Sequence, residues 1–273
     1  RNKRTVRALD AMDDVIRRLV EARRSEGEDR GDLMSQVVFA ADEQGHMSEK
    51  QMRDELMTLV FAGHETTAHT LTWAWYLLAK NRDKLAKAQR EIDEKIGKRP
   101  IGVDDLKELP YLEMCLKESL RRLPAVWIFA REAQTDLRLG GHHFPKGAIL
   151  AISPLATGRN PKYFHNPDEY RPERWTRDFE RQLPRGAYVP FAMGPRVCLG
   201  KQFAMMEMRI VLGTLIQNVD VNILEGFEPD FLPELSLNPG AKGMQMRVRF
   251  RDGAPVRVGE TPSERPTPGI HAA

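Results

Sequence analysis

One cysteine in this chain has the surroundings of a reactive thiolate. Cys198 lies in the stretch Phe191-Ala192-Met193-Gly194-Pro195-Arg196-Val197-Cys198-Leu199-Gly200, hemmed by glycines and close to an arginine. A thiolate stays ionised only among positive or hydrogen-bonding groups, and Gly194 and Gly200 leave room for backbone N–H groups to approach the sulfur. The apolar run from Phe203 to Leu212 predicts a helix that begins near the cysteine, so its positive end also favours the thiolate. One such ligand is enough for a metal already held in a macrocycle.

A second group of residues lies in Ala62-Gly63-His64-Glu65-Thr66-Thr67, where small residues interrupt a bulky helical pattern. Gly63 and Thr66 are one turn apart, so a flat ligand fits against Ala62 and Gly63 with the Thr66 hydroxyl beside it. Glycine at a helix centre costs about 1 kcal/mol relative to alanine, which calls for a compensating use. The plainer explanation is that Gly63 lets another helix approach and that the threonine hydroxyls bond the preceding turn. Zinc chemistry is rejected here: His69 follows His64 by five residues, and that spacing turns the second imidazole off the first one's face. A third pair, Glu118 and Arg121, shares a helical face and by spacing alone is a solvated ion pair worth a few tenths of a kcal/mol.

Together these stretches resemble the cytochrome P450 family. Phe191, Gly194, Arg196, Cys198 and Gly200 match every fixed position of that family's haem-binding loop. The resemblance implies that Cys198 is the axial ligand of the iron of haem b, with Phe191 packed near the sulfur and Arg196 directed at a haem propionate. It implies that Ala62-Gly63-His64-Glu65-Thr66-Thr67 is the oxygen-activation motif, Thr66 being the alcohol that hydrogen-bonds dioxygen and Glu65 the acid that relays protons. It also makes Glu118 and Arg121 part of a buried ion-pair network with Arg174, from the later Arg171-Pro172-Glu173-Arg174-Trp175. Arg131 is carried over as a second propionate partner. Val126, Trp127, Ile128 and Phe129 are either substrate-pocket lining or ordinary core. The family often has a histidine just before the Arg159-Asn160-Pro161 turn, where this chain has Gly158.

The elements that must position these residues follow from periodicity. Arg1 to Ala22 reads as an amphipathic helix and Asp32 to Ala41 as a short one, with loops at 25–31 and 42–46. Ser48 stands three residues ahead of Gln51, a capping box that opens a helix over 48–80, roughly 50 Å long and long enough to cross the centre of a domain. Further helices are expected over 81–96 and 111–123, with a short turn over 103–109. Leu137–Leu139 and Ala148–Ile152, around the Gly140-Gly141 turn, read as paired strands, and 219–223 and 244–250 as strands joined through a loop holding Pro239-Gly240. The expected fold is mainly α with a small β-sheet, a P450-like α+β fold truncated on its N-terminal side. Residues 1–252 form that partial domain, and 253–273, rich in proline and polar residues, form a disordered tail.

Composition bounds the function. With 273 residues, 41% hydrophobic, the chain can bury a core of one large or two small domains. A net charge of +3 without basic runs excludes nucleic acid as partner. The only cysteines, Cys115 and Cys198, make no disulfide framework, so a cytoplasmic location is expected, with Cys115 in the core and a membrane anchor on a preceding segment left as an open alternative. The chain opens on Arg1 and carries only motifs of the family's C-terminal half, so it reads as that half.

The expected reaction is insertion of one atom of O2 into a small apolar organic substrate. Electrons come from an NAD(P)H-dependent partner, a ferredoxin or a flavoprotein reductase, for which Lys117, Lys201 and Arg209 offer a basic docking patch. Two other readings stand beside it: a peroxygenase using hydrogen peroxide, disfavoured by the presence of both Glu65 and Thr66, and an inactive truncated fragment.

Overall fold

The computed structural model describes residues 3–42 and 45–252, so the expected tail lies outside the described residues. These residues separate into two compact units, with the boundary inside one long helix, between Ala68 and His69.

The first unit is helical. Helix α1 (Lys3–Glu26) turns Ile16 and Val20 toward Val38 of α2 (Leu33–Val38) and toward Met52, Leu56 and Met57 of α3 (Glu49–Lys80). Between α2 and α3, β1 (Ala41–Asp42) and β2 (Gly45–His46) pair antiparallel within the segment expected as a loop. The capping box is present: Gln51 N donates to Ser48 Oγ at 3.3 Å, and Ser48 N donates to Gln51 Oε1 at 3.1 Å. Arg23, buried on α1, donates in bidentate fashion to Asp32 at 2.6 and 2.9 Å, and so ties α1 to the residue that caps α2. No described helix is long and apolar enough to cross a membrane.

The second unit is built around the C-terminal turns of α3, where Trp73, Ala74 and Leu78 are fully buried. Helix α4 (Arg82–Lys95) adds Leu85, Ala88 and Ile92, and a 3₁₀ turn over Val103–Glu108 adds Leu106. Helix α5 (Pro110–Arg122) opens on a proline, which has no N–H to leave unpaired. Its next two N–H groups, of Tyr111 and Leu112, donate to Glu91 of α4 at 2.7 and 2.9 Å. A glutamate from one helix thus caps the next.

Short strands follow: β3 (Phe129–Glu132), β4 (Leu137–Leu139), β5 (His142–Phe144) and β6 (Ile149–Ile152). Their pairing corrects the sequence expectation. Gly140 and Gly141, at φ +55° and +83°, turn the chain within two residues, so β4 pairs with β5 directly while β6 returns to β3.

Helices α6 (Pro154–Gly158) and α7 (Arg177–Gln182) lead to the cysteine loop and α8 (Lys201–Asn218). Gly213 lets α8 pack closely: a Cβ there would lie 2.9 Å from Ile101 and 3.0 Å from Leu112. The described residues end with β7 (Val219–Ile223), a short hairpin of β8 (Leu232–Pro233) and β9 (Leu237–Asn238), and β10 (Met246–Phe250), which pairs with β7. The fold is mainly α, with small two-stranded sheets.

Candidate functional site

Cys198 is solvent-exposed at the end of a loop whose backbone is ordered by its own hydrogen bonds. Gly194 takes φ +75°, and a 3₁₀ turn over Gly194–Arg196 follows from it. Val197 N donates to Gly194 O at 3.0 Å, and Cys198 N reaches back across the loop to Phe191 O at 2.9 Å. Gly200 then caps α8 from outside, placing the cysteine three residues before the first residue of an eighteen-residue helix. Phe191 packs on the core, whereas Arg196 is exposed.

The surface around the sulfur is unusually apolar for an exposed one. Leu199 is 91% exposed, Phe203 57%, Val197 50% and Met193 38%. A Cβ built at Gly194 or Gly200 would meet no described atom within 4 Å. An apolar rim, two open glycines, one soft sulfur donor and a neighbouring guanidinium suit a flat apolar macrocycle that carries a metal and carboxylates. These residues therefore fit a haem.

Elsewhere in the second unit, Glu118 is fully buried and receives five donors. Its Oε1 accepts from Arg121 Nη2 at 2.7 Å, Arg171 N at 2.9 Å and Arg174 Nε at 3.0 Å; its Oε2 accepts from Arg121 Nε and Trp175 Nε1, both at 2.9 Å. The remaining guanidinium N–H groups go to backbone: Arg121 Nη1 to Gly158 O and Pro167 O, and Arg174 Nη1 to His165 O. Burial pulls Arg174 below its ordinary value, opposed by the charge of Glu118. The structure thus joins Glu118, Arg121 and Arg174 as the resemblance implied, and adds Trp175, which sequence reasoning passed over although it directly follows Arg174.

Arg131 is exposed on β3, its guanidinium 5.3 Å from the centre of the Phe129 ring and its Nη1 donating to Ala130 O at 2.8 Å. Trp127 packs on the core and donates Nε1 to Glu234 O at 2.9 Å, while Ile128 is 37% exposed. The basic patch needs correction. Lys117 pairs with Glu113 and Glu180 at 3.0 and 2.7 Å, and Arg209 pairs with Glu113 at 3.1 Å, so their charges are locally neutralised and only Lys201 of the three has no ion pair recorded among the described residues.

In the first unit, Ala62 and Gly63 are exposed on α3, and no described atom comes within 4 Å of a Cβ at Gly63, so no helix among the described residues packs into the gap that glycine leaves. Thr66 donates its hydroxyl to Ala62 O at 2.6 Å, the bond to the preceding turn expected of a helical threonine. Glu65 is half-buried.

The family model for cytochrome P450 matches residues 1–245. This chain belongs to the cytochrome P450 family. Similar P450 proteins include cyclooctatin synthase of Streptomyces melanosporofaciens, 35% identical over 242 residues, covering 88% of this chain and 53% of the relative. Cytochrome P450 4V2 of Mus musculus is 36% identical over 233 residues, covering 79% and 44%. The crystal structure of the cytochrome P450DA heme domain superposes with a TM-score of 0.84 at 30% identity, covering 92% of this chain and 56% of that one. The chain spans about half the length of the P450 relatives it matches. The family is one of haem proteins, which agrees with the fit of the cysteine loop.

Proposed function

We propose that this chain carries the haem-thiolate half of a P450 monooxygenase, binding haem b through Cys198 and serving the insertion of one atom of O2 into an apolar organic substrate while the second is reduced to water. The observation that carries this reading is the exposed Cys198 at the head of α8, ringed by exposed apolar residues and tied by its N–H to Phe191 O.

When bound, haem supplies the reductive activation of O2, and thiolate ligation favours O–O cleavage. The chain's own residues do the rest. Cys198 presents the sulfur, and Gly194 and Gly200 keep side chains out of its way. Arg196 and Arg131 would pair with the macrocycle's carboxylates. The Thr66 hydroxyl, which donates to Ala62 O here, would be the alcohol that hydrogen-bonds dioxygen, and Glu65 the acid that would relay protons from water. Glu118, Arg121 and Arg174 hold the scaffold of the second unit and take no part in the chemistry. A ferredoxin or flavoprotein reductase delivers the electrons.

The test is the difference spectrum of the dithionite-reduced protein with and without carbon monoxide, on this chain and on a full-length form. A strongly red-shifted Soret band that is lost in Cys198→Ser supports the reading. No haem signal from either form would overturn it, and a band from the full-length form alone would favour the second reading, in which this half does not close a haem site by itself. With turnover established, Thr66→Ala should uncouple O2 consumption from product while haem stays bound.

A further inference from the structure

The cysteine loop is exposed from Met193 through Gly200, so little within it fixes the direction of the thiolate. Its orientation must come from its ends. One end is α8. The other is Phe191, whose carbonyl holds Cys198 N, and three residues before it stands Tyr188.

Tyr188 is held in two ways. Its ring lies 4.4 Å from the Trp175 ring, centre to centre, at 51°, and its hydroxyl donates to Lys117 O at 3.1 Å. Both anchors converge on the ion-pair network: Trp175 donates to Glu118 Oε2, and Lys117 precedes Glu118 on α5. Trp175 is itself fixed, 3% exposed and edge-on to Phe179 at 5.8 Å. From Tyr188 the chain reaches Phe191 through Val189 and Pro190. Ala192 N closes this segment on Val189 O at 3.1 Å, with Ala192 at φ +56°, a conformation a non-glycine residue rarely adopts unless its neighbours hold it there.

We propose that Tyr188 is the positioning residue of the cysteine loop, setting the register of Phe191 and hence the direction of the Cys198 sulfur by the tilted packing of its ring against Trp175. The inference rests on the reading of Cys198 as a haem ligand for its consequence, but not for its geometry. A rigid indole, locked by a buried carboxylate, gives the tyrosine ring a fixed wall, and the short stretch to Phe191 carries that constraint to the sulfur. The aliphatic residues of the core could fill the same volume without fixing an orientation.

The experiment compares Tyr188→Phe, Tyr188→Leu and an off-path control, Leu85→Ala, fully buried on α4. Amide hydrogen exchange of the segment 191–200 is read on this chain, and the share of the reduced carbon monoxide complex with the thiolate-type band is read on a haem-loaded full-length form. Tyr188→Phe keeps the ring contact with Trp175 and should stay close to wild type. Tyr188→Leu should speed exchange at Cys198 about tenfold and shift a large share of the complex to the neutral-thiol band, whereas Leu85→Ala should lower overall stability without either change. Unaltered exchange in Tyr188→Leu, or an equal effect in Leu85→Ala, would overturn the proposal. If Tyr188→Leu does not fold, Trp175→Phe, which keeps a ring but loses the bond to Glu118, should give the same direction of change, and its silence would overturn the proposal equally. Absence of any thiolate band in wild type would sink the haem reading alone, because the exchange measurement needs no haem.

Discussion

Glu118 and Trp175 are joined by a 2.9 Å hydrogen bond in which a fully buried carboxylate accepts from a neutral indole, beside the guanidinium groups of Arg121 and Arg174. The bond fills the second oxygen of Glu118 and fastens the segment after α6 to α5. Two cations on one anion leave the cluster with an excess positive charge, which is spread over the carbonyls of Gly158, His165 and Pro167. The network is therefore a clamp between three stretches of chain, well suited to hold a loop in place and poorly suited to react.

Removal of the anion should accordingly be severe. Glu118→Ala leaves Arg121 and Arg174 buried without a counter-charge and should cost about 3–5 kcal/mol, enough to unfold much of the second unit at 37 °C. Arg174→Lys keeps the charge but loses the fork that reaches both Glu118 and His165 O, and should cost less. Urea denaturation followed by circular dichroism would show the order; equal stabilities for Glu118→Ala and wild type would refute the clamp.

Gly158 gives a second prediction. A Cβ there would lie 2.4 Å from Arg121 O and 3.2 Å from its Cγ, and the Gly158 carbonyl accepts from Arg121 Nη1. Gly158→Ala should cost about 1–3 kcal/mol by pushing the α6 backbone off α5, and Gly158→His, the side chain the family's pattern would place here, at least as much. A thermal melt within a degree of wild type for either variant would contradict the packing.

How much of this was legible beforehand depended on what each feature rests upon. The long helix and its capping box were readable because periodicity and short fixed spacings are properties of the chain itself; the buried cluster of Glu118, Arg121 and Arg174 was not, since spacing alone makes the first two a solvated pair and only the resemblance to the P450 family joined Arg174, 56 residues after Glu118, to them. The partner of β6 was not, since Gly140 and Gly141 close a hairpin too tight to include it, and the true partner, Phe129–Glu132, has no alternating pattern to announce a strand. The roles of Trp175 and Tyr188 escaped for a related reason: they act through tertiary contact with α5, which local sequence does not encode. The supposed basic patch failed because charge was counted without its neighbours, Glu113 and Glu180.

The acid side of the stability curve should carry the mark of Glu173. Burial works against its ionised form, but its own backbone N–H, Lys87 at 3.0 Å and Tyr111 at 2.9 Å outweigh that and hold it down, to about 2. A carboxyl depressed on folding contributes stability that is complete above its ordinary 4.5 and disappears as pH falls through about 2. Wild type should thus lose stability relative to Glu173→Gln on going from pH 5 to pH 2, and be the more stable of the two at pH 7. Parallel curves across that range would remove Glu173 from the acid response.

The two cysteines make the sharpest contrast in the chain. Cys115 is fully buried on α5, and burial pushes its thiol far up, so it is neither accessible nor ionised at neutral pH. Cys198 is exposed at the head of α8. Iodoacetamide at pH 8 should therefore label the folded, metal-free chain once, at Cys198, while Cys115 becomes reactive only in denaturant. Peptide mapping after digestion reads both sites in one sample. Haem loading should then protect Cys198 without affecting Cys115, because a sulfur committed to iron is no longer a nucleophile. Labelling of Cys198 at the same rate with haem bound would mean that the haem is held by some other residue, and would remove the thiolate from the site even if the protein were coloured.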